Sequence, residues 1–173
     1  MGTGMLFIFN FMCKESRKLP KLEMLENKKL VLKSVLKREL KNIQAEDFDL
    51  EVEKFERLLK QLTVQTFGPL VVKSSGVNIS ESGKLTTDYE LMIQAHDYKQ
   101  YKDSFDLIER FEVPCCAYVR YEGNVGDLHY AHSKLDLHFY ENDIESIDEV
   151  YSVMVEDSEN HAVVDIFRPV KIS

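Results

Sequence analysis

Between Lys29 and Lys171 the apolar residues change their spacing in the same order twice, and this repetition limits what the chain can fold into more than any other feature. From Lys29 to Leu40, KLVLKSVLKREL alternates imperfectly, with Leu30, Leu32 and Leu36 set against Lys29, Lys33 and Lys37, the pattern of a half-exposed strand. Asp47 then stands as an N-cap before Phe48, Val52, Phe55, Leu59 and Leu62, whose steps of three and four make one apolar helical stripe. LVVKSSGVNIS and TTDYELMIQAHD follow as two strands joined by a polar turn at ESGK, with Tyr89, Leu91 and Ile93 alternating against Glu90, Met92 and Gln94. Residues 29–96 thus spell strand, helix, strand, strand.

Residues 97–114 read as a charged connector holding a short helical turn at most. Beyond it the order recurs over 115–171. CCAYVRYEG is a strand ended by Gly123, and Asp127 caps a helix with Leu128, Ala131, Leu135 and Phe139 on one face. EVYSVMVED and AVVDIFRPVK then flank the turn SENH. The two units overlay so that Glu90 falls on Asp165. The expected class is α+β: a single domain over 29–171 of duplicated strand-helix-strand-strand units, forming antiparallel sheets with helices on one side and a groove on the other.

Composition removes several functions. The chain carries 22 Lys and Arg against 30 Asp and Glu, for a net charge of −8, and ten of those cations fall in residues 14–41. The acidic remainder is no surface for tracking phosphates, and lysines alternating with Leu and Val in the basic stretch read as the solvated face of a strand, so no nucleic acid partner is expected. Three cysteines, Cys13 and the adjacent Cys115 and Cys116, form neither a disulfide framework nor a zinc spacing, which suits a reducing cytoplasm and buried thiols. The apolar run MLFIFNFMC, Met5–Cys13, is far short of the roughly 20 residues a spanning helix needs. Residues 1–28 are therefore read as a leader, disordered or a start-site artefact, with no membrane span.

Several short motifs carry a resemblance. AYVRYEGNVGDLHYAHSKL gives a strand, a glycine-containing turn and a helix; EVY at Glu149–Tyr151 opens a strand; VVDIFRPVK closes the chain on an acid, an aromatic residue and Pro-Val; GPL at Gly68–Leu70 and DYEL at Asp88–Leu91 recur in the first unit. Together they resemble the GyrI-like, or AraC-type effector-binding, superfamily (the SHV fold) over about 29–171. In that family two such units form a cradle for small molecules. Two departures matter: Asp165 stands where the family has Glu, and the 28 residues before the first strand are too few for a helix-turn-helix, so the DNA-binding half of the drug-responsive regulators is not expected. The standalone arrangement is similar to uncharacterised Gram-positive members, some of them associated with toxin-secretion gene clusters.

Alternation assigns the faces. In the last strand Val164 and Ile166 share the face suited to helix packing, while Asp165 and Phe167 look the other way; Glu90 and Met92 take the equivalent side of the first unit. Two acids then meet near the centre of a hollow lined by Met92, Phe167, Tyr118 and Tyr151, a setting for a cationic, partly flat ligand, which the resemblance also implies. The alternative is that the acids are held in salt links by Arg120 or Arg168, and an Arg120 closed onto Asp165 would remove the groove's negative charge. The candidate groove residues are Glu90, Met92, Tyr118, Arg120, Glu149, Tyr151, Asp165 and Phe167. His129, His132 and Asp136 share part of a helix face and are read as bordering the core, and no metal or cofactor is expected. The leading expectation is non-enzymatic binding of a cationic or amphipathic small molecule. A protein-interaction module, including an adaptor of a toxin-secretion cluster, is the alternative. A hydrolase using Glu149 and Tyr151, as the resemblance implies for some relatives, comes third.

Overall fold

The computed structural model of the chain describes residues 22–158 and 160–171. Its elements run β1 (Met24–Ile43), α1 (Phe48–Gln61), β2 (Thr66–Ile79), β3 (Leu85–Ala95), β4 (Asp106–Gly123), α2 (His129–Glu141), β5 (Glu149–Ser158) and β6 (His161–Pro169). All neighbouring strands are antiparallel, and they close into one barrel in the order β1-β3-β2-β5-β6-β4. The expected open groove is therefore a barrel interior, and the two helices pack outside.

Closure depends on two strands that are longer than their sequence suggested. β1 begins at Met24 rather than Lys29, because Met24 and Leu25 pair with Val119 and Tyr118. The remaining leader, residues 1–21, lies outside the described residues. β4 begins at Asp106, inside the stretch read as a connector, of which only Tyr98–Tyr101 is helical. Pro114 suggested a boundary, but it lies within β4 where the register against β1 shifts and Cys115 adopts a φ of +53°. A bulge tolerates the missing N–H of proline, so the strand passes through.

A second irregularity changes a face. Ser34 has a φ of +54°, which breaks the two-residue period of β1. Leu30 and Leu32 point into the barrel with Val35, while Leu36 turns outward to pack with Phe55 and Leu91. The expected grouping of Leu36 with Leu30 and Leu32 is thus corrected. Lys37 follows Val35 round to the inner side, where it meets Glu90.

Three apolar clusters hold the fold. All six strands supply the interior: Leu30, Leu32, Val35, Val71, Met92, Val113, Cys116, Tyr151 and Val153, with Phe167 against them. Outside, α1 seals Leu36, Leu40, Leu91 and Ile93 under its predicted stripe, of which Phe55 is the fully buried anchor, edge-on to Phe105 at 5.7 Å between centroids. α2 seals Ala117, Val119, Tyr121, Val164 and Ile166 with Ala131, Leu135 and Phe139. Its entry is capped by the Asn124 side chain, which accepts from Gly126 N at the start of a short helical turn; the expected cap, Asp127, lies inside that turn.

Phe55→Ala should cost about 3–4 kcal/mol in urea unfolding, because the ring has no solvent exposure and its loss leaves a cavity. Gly123→Ala should cost about 1–2 kcal/mol, because the new methyl would stand 2.9 Å from the Tyr121 hydroxyl, which is fixed by its bond to the Asn124 carbonyl. A Tyr121→Phe background should recover part of that loss.

Candidate functional site

The inner face carries its charge in two separate groups. β3 contributes Glu90, which β1 and β2 flank with Glu39 and Lys73. Lys73 Nζ donates to Glu90 Oε1 at 3.2 Å and lies 2.9 Å from Glu149 Oε1 on β5. Lys37 Nζ reaches Glu39 at 2.7 Å, Asp106 at 3.7 Å and the other Glu90 oxygen at 3.9 Å. Four carboxylates thus face two ammoniums, leaving two negative charges in excess. The Tyr151 hydroxyl donates to Glu149 Oε2 at 2.9 Å, and its ring lies 6.0 Å from Lys73 Nζ.

The second group surrounds Asp165. Arg120 donates to both carboxylate oxygens, Nε to Oδ1 at 2.7 Å and Nη2 to Oδ2 at 2.8 Å, while the Tyr118 hydroxyl donates to Oδ1 at 2.7 Å. Such a two-pronged guanidinium contact is the strong form of the ion pair. The alternative foreseen for Arg120 is therefore the observed one, and Asp165 has no free negative charge. Arg168, the other candidate partner, faces outward instead, binding Ser146 Oγ and Asp136 and lying 4.5 Å from the centre of the Phe139 ring.

The expected meeting of Glu90 and Asp165 does not occur, for a geometric reason. Each acid stands two residues before an inward apolar residue, Met92 in β3 and Phe167 in β6. Three successive antiparallel pairings separate β3 from β6, so the two strands run in opposite directions. The acids therefore diverge towards opposite ends of the interior cluster. Glu90 is brought instead to Glu149, through Lys73.

Electrostatics follow the contacts. Burial works to lower the Lys73 pKa, but hydrogen bonds to Glu149 and Glu90 outweigh it and hold the group above the usual lysine range. Lys37 is also raised, chiefly by its hydrogen bond to Glu39. Burial would raise Asp165, yet the bonds from Arg120 and Tyr118 bring it below the ordinary carboxylate value. Tyr118 is pushed up to about 12 by burial and by Asp165. Tyr151 is raised further, first by burial and then by its bond to Glu149. Cys116, buried beside them, is pushed to about 11 by desolvation and is an inert thiol.

The remaining candidates divide by exposure. Met92 is fully buried and Tyr151 nearly so, forming the apolar floor with Phe111, whose ring lies 5.8 Å from that of Tyr151. Phe167 packs at 5.0 Å against the Tyr118 ring. Glu149 lines a cleft of about 480 Å³ with Ser74, Val77, Tyr89, Leu135 and Val150, and Tyr118 and Arg120 line another of about 630 Å³ with Leu22, Leu25 and His161. His129 contacts the Gly126 carbonyl and Asp136 is held by Arg168. Among the described residues no group of three or more His, Cys, Asp or Glu is placed to hold a metal ion. Nor is any described helix long and apolar enough to cross a membrane.

Sequence reasoning missed Lys73 and Lys37. The available signal for Lys73 was its place in the alternation Val71, Lys73, Ser75, a single lysine on the inward side of an apolar strand. Lys37 had no comparable signal, because the twist at Ser34 that turns it inward is not written in the pattern.

No family model matches the chain. No curated protein matches it. Among solved structures it is similar to a hydrolase from Listeria innocua, at 12% identity and a TM-score of 0.51 over 87% of this chain and 92% of that one. It is also similar to a hydrolase encoded by lin2189 from Listeria innocua, at 9% identity and a TM-score of 0.50 over the same shares. A third, SAV2435 bound to tetraphenylphosphonium, has 9% identity and a TM-score of 0.48 over 88% of this chain and 94% of that one. The first two likenesses extend along nearly the whole chain and concern the fold: an α+β protein whose antiparallel strands close round a common interior.

Proposed function

We propose that the chain is a GyrI-like effector-binding domain that holds a small, positively charged, partly apolar molecule at the inner-face group of Glu90, Glu149 and Tyr151, without chemical turnover. One observation carries this reading: on the inner face four carboxylates face two ammoniums beside an aromatic floor. An organic cation supplies the missing charge, and its apolar part is matched by the Tyr151 and Phe111 rings of the interior cluster. The duplicated-unit reading belongs to the same proposal. It is supported by the strand order, in which β3 lies between β1 and β2 as β6 lies between β4 and β5.

Two other readings have a specific feature each. Hydrolysis would use Glu149 with Tyr151, but that carboxylate is already shared between Lys73 and a phenol whose proton is tightly held, a poor base beside a poor acid. A partner-binding role is favoured by the end of the β2–β3 hairpin, where Val77, Ile79 and Leu85 are 66%, 74% and 64% exposed on one face. Beyond its last pairing with β5 at Ser75, this stretch of β2 has an open edge.

Thermal unfolding with a panel of lipophilic cations and neutral analogues tests the proposal. At about a hundredfold excess over Kd a bound cation should raise the midpoint by roughly 5–10 °C, and Glu149→Gln or Glu90→Gln should remove most of that shift. No shift with any cation, or equal shifts with the neutral analogues, overturns it.

Asp165 takes a structural role in this reading. Asp165→Asn should destabilise the protein by about 1–2 kcal/mol at pH 7, since Arg120 and Tyr118 keep only one weaker acceptor. The native Asp165 pKa is lowered, so its contribution is complete above the unfolded-state value of about 3.9 and is lost as pH falls through the folded value. Midpoints of native protein and variant, measured from pH 7 down to pH 3, should therefore converge on the acid side.

A further inference from the structure

We propose that Lys73 is a tethered stand-in for the ligand: its ammonium occupies the cation subsite, and binding requires that it be displaced. The inference rests on the functional reading above and names the ligand class more narrowly, as a protonated amine carried on an apolar or aromatic body.

The position of Nζ is the basis. It lies 3.2 Å from Glu90 and 2.9 Å from Glu149, with the Tyr151 ring 6.0 Å away, so two carboxylates from different strands and an aromatic face converge on one point. Those are the elements of an organic-ammonium site, already filled by a side chain of the protein itself. Only 14% of the Lys73 side chain is exposed, so its stem is packed beside the two acids rather than extended into solvent. Both acids take hydrogen bonds from Nζ in a half-buried setting, where a charge without donors would leave them unsatisfied. An incoming protonated amine keeps a bond to one acid through its N–H and brings its charge to both, and a cation without donors keeps no such bond. Lys37 already covers the outer oxygen of Glu90, at 3.9 Å, so a single ammonium is exchanged and the local charge balance is preserved.

The lysine differs from a ligand in being covalently held. Its effective concentration beside the acids is high, which lowers the apparent affinity for an external amine. An ammonium on a flexible four-carbon stem can also swing to solvent without disturbing the strand that carries it.

The test uses N,N-dimethyl-4-phenylbutylamine as the probe and 4-phenylbutanol as its neutral counterpart, with binding measured by calorimetry on native protein, Lys73→Met and Lys73→Arg. Lys73→Met should bind the amine at least about tenfold more tightly than native protein, with Lys73→Arg near native and the alcohol little changed. Equal amine affinity in native protein and Lys73→Met, or an equal gain for the alcohol, overturns the inference while leaving the cation site standing. Failure of the amine to bind any of the three overturns both. Should Lys73→Met not fold, native protein gives an independent readout, since acetic anhydride labelling of Lys73, followed by mass spectrometry, should accelerate when the amine is bound. Unchanged or slower labelling counts against displacement.

Discussion

The closure of β1 onto both β3 and β4 is the constraint on which the rest of the structure depends. β1 has 20 residues; Val35–Ile43 pair with β3 and Met24–Lys37 with β4, so its middle is hydrogen-bonded on both sides. A sheet that closes on itself in this way has one enclosed face. That face must be filled, and the interior cluster drawn from all six strands fills it. Without the extra residues at the start of β1 and β4, the same strands would form a curved sheet over an open hollow.

Enclosure changes the meaning of inward charges. On an open groove, Glu90, Glu149 and Asp165 would be hydrated acids waiting for a ligand. Inside a rim of limited exposure each carboxylate needs donors from the protein, because an unpaired half-buried charge is costly. Asp165 is satisfied completely by Arg120 and Tyr118. Glu90 and Glu149 share the ammonium of Lys73, a more economical arrangement that leaves their group with negative charge in excess. The difference between the two groups is one of counterion number rather than residue type, and it separates a fully paired acid from two acids that share one ammonium.

Strand direction explains why the groups are separate. An acid two residues before an inward apolar residue is a local pattern, present in both β3 and β6. When strands bearing the same pattern run oppositely through one barrel, the acids move apart and each comes under the influence of a different neighbour. β5 brings Glu149 and Tyr151 alongside Lys73 of β2 at the junction of the two strand-helix-strand-strand runs. The candidate site is thus a property of that junction and of neither run alone.

Alternation and helical spacing by themselves determined the order of the elements, the two apolar helix faces, the β2–β3 and β5–β6 hairpins, and the inward orientation of Glu90, Met92, Asp165 and Phe167. These are local matters, governed by which side of a strand or helix must leave water. Tertiary structure decided the rest. The left-handed backbone at Ser34, the bulge at Cys115, the passage of β4 through Pro114 and the extension of β1 back to Met24 depend on pairing with distant strands. The counterion of each acid depends on which strand lies beside it once the barrel closes. Sequence spacing carries the period of a strand but not its neighbour, and at this site the neighbour supplies the charge.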